Sequence, residues 1–207
     1  MNKIMSDFIK KSIEEDIGKG DITSMACINK TTSGKAQLIT KEKCKIAGIE
    51  IAKSIYSFYD KKLNFYPLHK DGDNLKKGSV VFEVSGNQRS ILATERLVLN
   101  CMQRMSGIAT KTQSFTQKIK DLNTIILDTR KTCPSIRFLD KEAVKIGGAK
   151  NHRKGLYDTI MIKDNHIDFA GGIENAIIRS EKYIKKKKLT QTTVIIEVRS
   201  LKVLNTV

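Results

Sequence analysis

Three short apolar runs, Ile125-Ile126-Leu127, Ile160-Met161-Ile162 and Val194-Ile195-Ile196, lie about 35 residues apart in the second half of this chain, with helical patterns at 140–146 and 173–184 between them. Each run is long enough for a buried strand and too short for a helix. Strands alternating with helices are carried parallel, because a crossover helix returns the chain to the end of the sheet where it started. The spacing therefore predicts βαβαβ with parallel strands. In open parallel sheets and α/β barrels ligands collect at the C-terminal strand ends. Those ends are polar here: Asp128, Thr129, Arg130 and Lys131 follow the first run, Lys163, Asp164 and Asn165 the second, Glu197 and Arg199 the third.

The cations among them stand out against the chain's own habits. Of 38 basic residues, 30 are Lys and only 8 are Arg. Lys is the default surface charge, in runs such as 185–188. Arg presents a planar fork matched to carboxylate and phosphate, so a chain that uses it sparingly places it for geometry. Arg96, Arg130 and Arg153 are candidates on that ground. Arg130, Lys131, His152, Arg153 and Lys163 supply up to five positive charges, and such a cluster repels itself unless a polyanion relieves it. Phosphates or a dicarboxylic acid fit. Glu197, an acid among cations, suits a metal, a ribose hydroxyl pair or a developing carbocation.

The first half reads as a mixed α/β unit. Ile4, Phe8, Ile9, Ile13 and Ile17 fall at helical spacing, ended by Gly18 and Gly20. Strand patterns follow at 36–40, 63–66 and 80–84, with a helix at 49–59. A long helical pattern then covers 91–120, interrupted at Ser106-Gly107, which marks a domain boundary or kink and divides the chain into 1–107 and 108–207. The stretch from Asp71-Gly72-Asp73 to Lys76-Lys77-Gly78 resembles the hammerhead turns of biotinyl and lipoyl carrier domains but has no Lys in an M-K-M or D-K-A setting. It reads as scaffold.

Composition removes other classes. The net charge of +16 suits a nucleic-acid binder, but no basic run is interleaved with aromatics and no RNA or DNA motif occurs, so abundant Lys, Ile and Asn read as a coding bias toward A and T. Cys27, Cys44, Cys101 and Cys133 show no close pairing, which argues against a zinc signature or a disulfide framework. The start of the chain has no long apolar stretch behind its basic residues, so no secretory signal is expected, and no segment reaches the ~20 apolar residues of a membrane span. A reducing cytoplasm is expected.

Several motifs together resemble quinolinate phosphoribosyltransferase. They are EEDIGKGDITS at 14–24, ERLVLNCMQRMSGIAT at 95–110, DTRKTCPSIR at 128–137 and KEAVKIGGAKNHRKGLYDTIMIKDNHI at 141–167, in the family's order and across nearly the whole chain. The resemblance implies an N-terminal α/β sandwich domain followed by an α/β barrel, and a homodimer or larger homo-oligomer. It implies reaction of quinolinate with phosphoribosyl pyrophosphate, using Mg2+, to give nicotinate mononucleotide, pyrophosphate and CO2 for NAD biosynthesis. Carried over by position, Arg130, His152, Arg153 and Lys163 would surround the quinolinate carboxylates. Lys131 would lie between the two substrates, Arg96 would reach into a neighbouring subunit's site, and Glu197 would face the ribose and its Mg2+. Lys131 and Glu197 are the residues expected to act in catalysis. His166 is expected to serve a structural or supporting role, and His69 to be unrelated.

This sequence departs from the family pattern in places. Ser135 stands where the TRKT-x-P-G pattern has Gly, and Ala149 where the family often has a third Gly. Family members also continue past the position of Val207 through further barrel strands, an LLDN-like segment and Gly-rich phosphate-binding segments. The barrel is therefore expected to be incomplete in these 207 residues, with exposed strand faces, low stability and little or no turnover. An inactive remnant or a noncatalytic dimer partner is the alternative reading.

Overall fold

The computed structural model describes residues 3–204. They divide into two compact units, the first ending at Asn151 and the second beginning at His152. The first opens with helix α1 (Lys3–Ile17), which stops where Gly18 takes a φ of +54°. Helix α2 (Ile22–Cys27) was not anticipated from the sequence. Its signal was Asp21, whose carboxylate accepts from the Ser24 N–H at 3.0 Å and so caps the first turn.

Strand β1 (Ser33–Ile39) and the two-residue β2 (Cys44–Lys45) lead into helix α3 (Ile49–Tyr59). Strands β3 (Asn64–Pro67), β4 (Asn74–Leu75) and β5 (Val80–Asn87) follow. β1, β5 and β3 make a three-stranded antiparallel sheet with β5 central, registered from Ser33 opposite Asn87 to Leu38 opposite Phe82 and bulged beyond Leu38. β2 pairs with β4 in a separate antiparallel ribbon. The Asp71–Gly78 stretch is scaffold, as read: the Asp71 carboxylate accepts from the Ile49 N–H at 2.8 Å, capping α3, and the Gly72 carbonyl accepts from Lys45 Nζ at 2.6 Å. Burial outweighs these backbone bonds in raising the Asp71 carboxyl above its ordinary value.

Helix α4 (Gln88–Thr116) grows out of β5, with Asn87 accepting from the Ser90 N–H at 3.2 Å. It is the spine of this unit, packed by α1, α2, α3 and the sheet. It runs unbroken through Ser106-Gly107, contrary to the interruption read from the sequence. Ser106 is not there to stop the helix. Its hydroxyl accepts from the Ala47 N–H at 3.0 Å and faces the Ala47 carbonyl at 3.1 Å, and one turn on the Thr110 hydroxyl accepts from the Lys45 N–H at 2.9 Å. These side chains pair backbone groups beside β2 that no strand reaches. The core below is apolar and closed: Ile9, Ile55, Val81, Phe82, Val84, Val98 and Met102 are fully buried.

A 3-10 turn at Gln117–Ile119 ends the spine. Ile125-Ile126-Leu127 does not become the buried strand its composition predicts. It makes a single parallel bridge, Leu127 to Lys150, and Ile125 and Leu127 remain exposed. One bridge gives the run a partner over too short a length for a ladder. Helix α5 (Arg137–Ile146) then packs against α4.

In the second unit, β6 (Ile160–Ile162) is followed by helix α6 (Asp164–Ala170), which the sequence reading missed, then α7 (Ile173–Lys187), β7 (Val194–Ile196) and the last short helix α8 (Leu201–Leu204). β6 and β7 pair in parallel, Ile160 with Val194, Met161 with Ile195 and Ile162 with Ile196. The predicted parallel βαβ rhythm holds for these two strands, and the residues following each emerge side by side.

Candidate active site

The first unit carries two of the predicted residues on the loop Asp128–Cys133. Arg130 and Lys131 make no ion pair among the described residues, and the Arg130 Nε is covered by protein with no hydrogen-bond partner. A covered, unpaired donor costs about 1–3 kcal/mol. Such a cost is tolerated where a charged group must stay uncommitted.

The carboxylates around this loop are fully committed. Asp128 does not pair with its neighbours Arg130 or Lys131, the local arrangement that would have made those cations structural. It takes Lys141 Nζ of α5 at 2.6 Å, both side chains being less than a tenth exposed. With the Asn151 amide oriented so that its nitrogen donates, that nitrogen lies 2.8 Å from Asp128 Oδ2 and 2.9 Å from the Lys141 carbonyl. Next to Lys141, Asp140 takes a bidentate pair from Arg104 of α4 at 2.7 and 2.8 Å and also accepts from the Cys133 N–H at 3.3 Å. Hydrogen bonding to Asp140 raises the Arg104 guanidinium further above its already high value.

Sequence reasoning missed Arg104, Asp140 and Lys141. The scarcity of Arg that marked Arg96 marks Arg104 equally, but no sequence signal joins a helix at 104 to one at 140. Arg96 itself is exposed on α4.

In the second unit the parallel register does the assembling. Lys163 follows Ile162 of β6, Glu197 follows Ile196 of β7, and the two side chains form an ion pair at the strand ends. The Glu197 N–H donates to the Ile162 carbonyl at 2.9 Å, which fixes its backbone beside β6. Arg199 belongs to the frame. It bonds Asp164 and Asp168 of α6, each at 2.8 Å, which raises its own affinity for its proton, Asp168 contributing most. His166 accepts at Nδ1 from the Lys163 N–H at 3.0 Å and closes the start of α6, a structural role as read. Arg153 donates to the Thr159 carbonyl at 3.4 Å and borders a cleft of about 460 Å3 that also includes His166 and Arg179. His152 lies half-buried before it. A larger cavity of about 670 Å3, between Thr40, Cys44 and Ser106 of the first unit, includes none of the predicted site residues.

The described residues contain no group of three His, Cys, Asp or Glu side chains placed to hold a metal ion. Mg2+ keeps several waters and binds through one or two carboxylates plus substrate phosphates. Glu197, a half-exposed carboxylate at a strand end, fits that single-ligand role for an ion carried on a diphosphate.

The fold is that of a mixed α/β protein whose first unit carries uncommitted cations on the Asp128–Cys133 loop and whose second carries a Lys–Glu pair at parallel strand ends. Residues 21–106 match the model of the quinolinate phosphoribosyl transferase N-terminal domain, and residues 108–207 that of the C-terminal domain. The chain is 45% identical over 194 residues to the chloroplastic nicotinate-nucleotide pyrophosphorylase [carboxylating] of Arabidopsis thaliana, covering 93% of this chain and 55% of that protein. It is 46% identical over 162 residues to the probable enzyme of the same name from Bacillus subtilis, covering 78% and 56%. Among solved structures it superposes on NadC from Streptococcus pyogenes with a TM-score of 0.89 at 35% identity, covering 96% of this chain and 70% of that one. The nicotinate-nucleotide pyrophosphorylase of Francisella tularensis gives 0.88 at 38% identity, covering 100% and 71%. The chain belongs to the quinolinate phosphoribosyltransferase family. It spans just over half the length of the curated relatives it matches.

Proposed function

We propose that the protein to which this chain belongs transfers the phosphoribosyl group of phosphoribosyl pyrophosphate to quinolinate with decarboxylation, yielding nicotinate mononucleotide, pyrophosphate and CO2. The observation that carries the reading is the Lys163–Glu197 pair at adjacent parallel strand ends. An exposed pair of this kind contributes only about 0–1 kcal/mol. Little is lost when a ligand separates it, so each partner is available to a substrate group: Lys163 to a carboxylate of the acid, Glu197 to the ribose.

The chemistry asks for these types. As the bond to pyrophosphate breaks, the anomeric carbon gains oxocarbenium character, and Glu197 opposes that charge. Lys131 faces the departing pyrophosphate, and Mg2+, when bound, supplies further neutralisation of the diphosphate. Arg130, His152 and Arg153 hold the acid with its ring nitrogen aimed at the sugar, so that positioning replaces a protein nucleophile. The same cationic frame keeps the carboxylate fixed while the quaternised ring accepts the electrons it releases. We further propose that Arg96 contributes to the site of a second subunit in a homodimer, that 107/108 is the boundary between the family's two domains, and that the protein acts in the cytoplasm. Among the described residues no helix is long and apolar enough to cross a membrane.

Calorimetric titration of the protein isolated from its own cells tests the substrate assignment. Quinolinate is expected to bind at least about tenfold more tightly than nicotinate, because removing one carboxylate leaves desolvated cations without a partner. Equal affinities, or binding of neither acid, would overturn it.

A further inference from the structure

The loop that bears Arg130 and Lys131 is held at its two ends by consecutive residues of one helix. Lys141 of α5 binds Asp128 at 2.6 Å, before the two cations, and Asp140 accepts from the Cys133 N–H at 3.3 Å, after them. Between those points the loop carries short-range bonds of its own: the Lys131 N–H to the Thr129 hydroxyl and the Thr132 N–H to the Arg130 carbonyl, each at 3.0 Å, with Arg137 reaching back to the Thr132 hydroxyl at 2.9 Å.

We infer that Asp140 and Lys141 are positioning residues, a two-residue clamp that sets the separation and direction of Arg130 and Lys131 without touching substrate. The inference rests on the roles proposed above for those two cations. Stability alone does not account for the arrangement. A buried Lys–Asp pair loses in desolvation much of what it gains in attraction, and well-packed apolar residues of similar volume often serve the fold as well or better. What apolar residues cannot do is fix direction. Asp128 is held through both oxygens, by Lys141 and by Asn151, and Asp140 through both oxygens by the Arg104 fork. Arg104 comes from the spine helix, whose neighbouring Met102 and Met105 are buried in the core. The line of support therefore runs from the core through Arg104, Asp140 and Lys141 to the loop. Asn151, bonded to Asp128 and the Lys141 carbonyl, extends it to the position directly before His152 in the chain.

The test uses the protein isolated from its own cells and the same protein carrying Lys141→Met with Asp128→Asn, which removes both buried charges and keeps an amide for Asn151. Arg104→Lys serves as an independent variant, since it keeps the charge and loses the fork. Three readouts are compared: thermal midpoint, the KM for quinolinate with and without added Arg130→Ala, and hydrogen exchange at the Lys131 and Cys133 amides. The clamp predicts a thermal midpoint close to the parent, a rise of about 10- to 100-fold in the quinolinate KM, in the range seen when residues orienting a site are removed, and at least tenfold faster exchange at the two loop amides but not within α5. It also predicts that Arg130→Ala costs far less in the clamp variant than in the parent, because the two changes act through one group. A purely structural role would leave the Arg130→Ala penalty intact. A folded variant with the parent's quinolinate KM, or with unchanged loop exchange, would overturn the inference. If the double variant does not fold, the same readouts on Arg104→Lys decide it. If the parent shows no quinolinate turnover, the functional reading fails, and the exchange arm still accepts or rejects the clamp.

Discussion

Ser135 is where the residue scale shows most clearly. It stands at a position where the family pattern has Gly, and its φ is +66°, in the left-handed region. For a residue with a Cβ that conformation costs about 1–2 kcal/mol. Replacing it with Gly removes the cost and adds about 0.4–1 kcal/mol of unfolded-state entropy to overcome. Ser135→Gly is therefore expected to stabilise the protein by up to about 1.5 kcal/mol in urea unfolding, the difference of those two terms. A loss of stability would show that Ser135 makes a contact worth more than the backbone cost. The departure at Ala149 has no such consequence, since that side chain is buried and its φ is not in the left-handed region.

At the scale of elements, the glycines after α5 separate two uses of one residue type. Gly148 has a φ of +93° and provides the turn. Gly147 has ordinary helical backbone and is needed for space: a Cβ there would lie 2.5 Å from Thr112 Cβ and 2.8 Å from the Ala109 carbonyl oxygen, both on α4. The helix end sits on the spine at backbone distance, and the Thr116 hydroxyl, 3.2 Å from the Gly147 carbonyl, seals the contact. Gly147→Ala is expected to cost about 1–3 kcal/mol, because the spine backbone must shift rather than a flexible tip. Equilibrium unfolding measures it, and a cost near zero would mean that α5 slides on α4 without penalty. A slide would also move Asp140 and Lys141, so quinolinate affinity should fall in the same variant.

Across the whole molecule, legibility followed the range of the interactions. Patterns set by local periodicity came through: α1 from its Ile and Phe spacing, α3 at 49–59, β5, and the pairing of β6 with β7 that puts Lys163 beside Glu197. Elements set by caps or by distant partners did not. α2 is capped by Asp21 through Ser24, and α6 by the His166–Lys163 bond with Arg199 of the following strand end holding Asp164 and Asp168, and neither short helix has much periodicity behind it. The supposed break at Ser106-Gly107 misread Ser106, a polar side chain whose partner Ala47 lies 59 residues earlier in the chain. Ile125-Ile126-Leu127 has the composition of a buried strand, but composition does not specify whether a neighbouring strand covers it. In the site, the cations that stay free of partners were found from charge and residue rarity. The residues that hold their loop were not, because Arg104, Asp140 and Lys141 look like ordinary surface charges until the helices pack, and the partner of Asp128 could not be told from its neighbours.

The claim on which the rest depends is the chemistry of the family carried out by this protein. Incubating the protein isolated from its own cells with quinolinate, phosphoribosyl pyrophosphate and Mg2+, and following nicotinate mononucleotide by mass spectrometry alongside released CO2, tests it most directly. Product and CO2 are expected in equal amounts, with Glu197→Gln lowering kcat by about 100- to 1,000-fold, the loss typical when one electrostatic stabiliser of a transition state is removed. Absence of product from folded protein that binds quinolinate, or turnover unaffected by Glu197→Gln, would contradict the account.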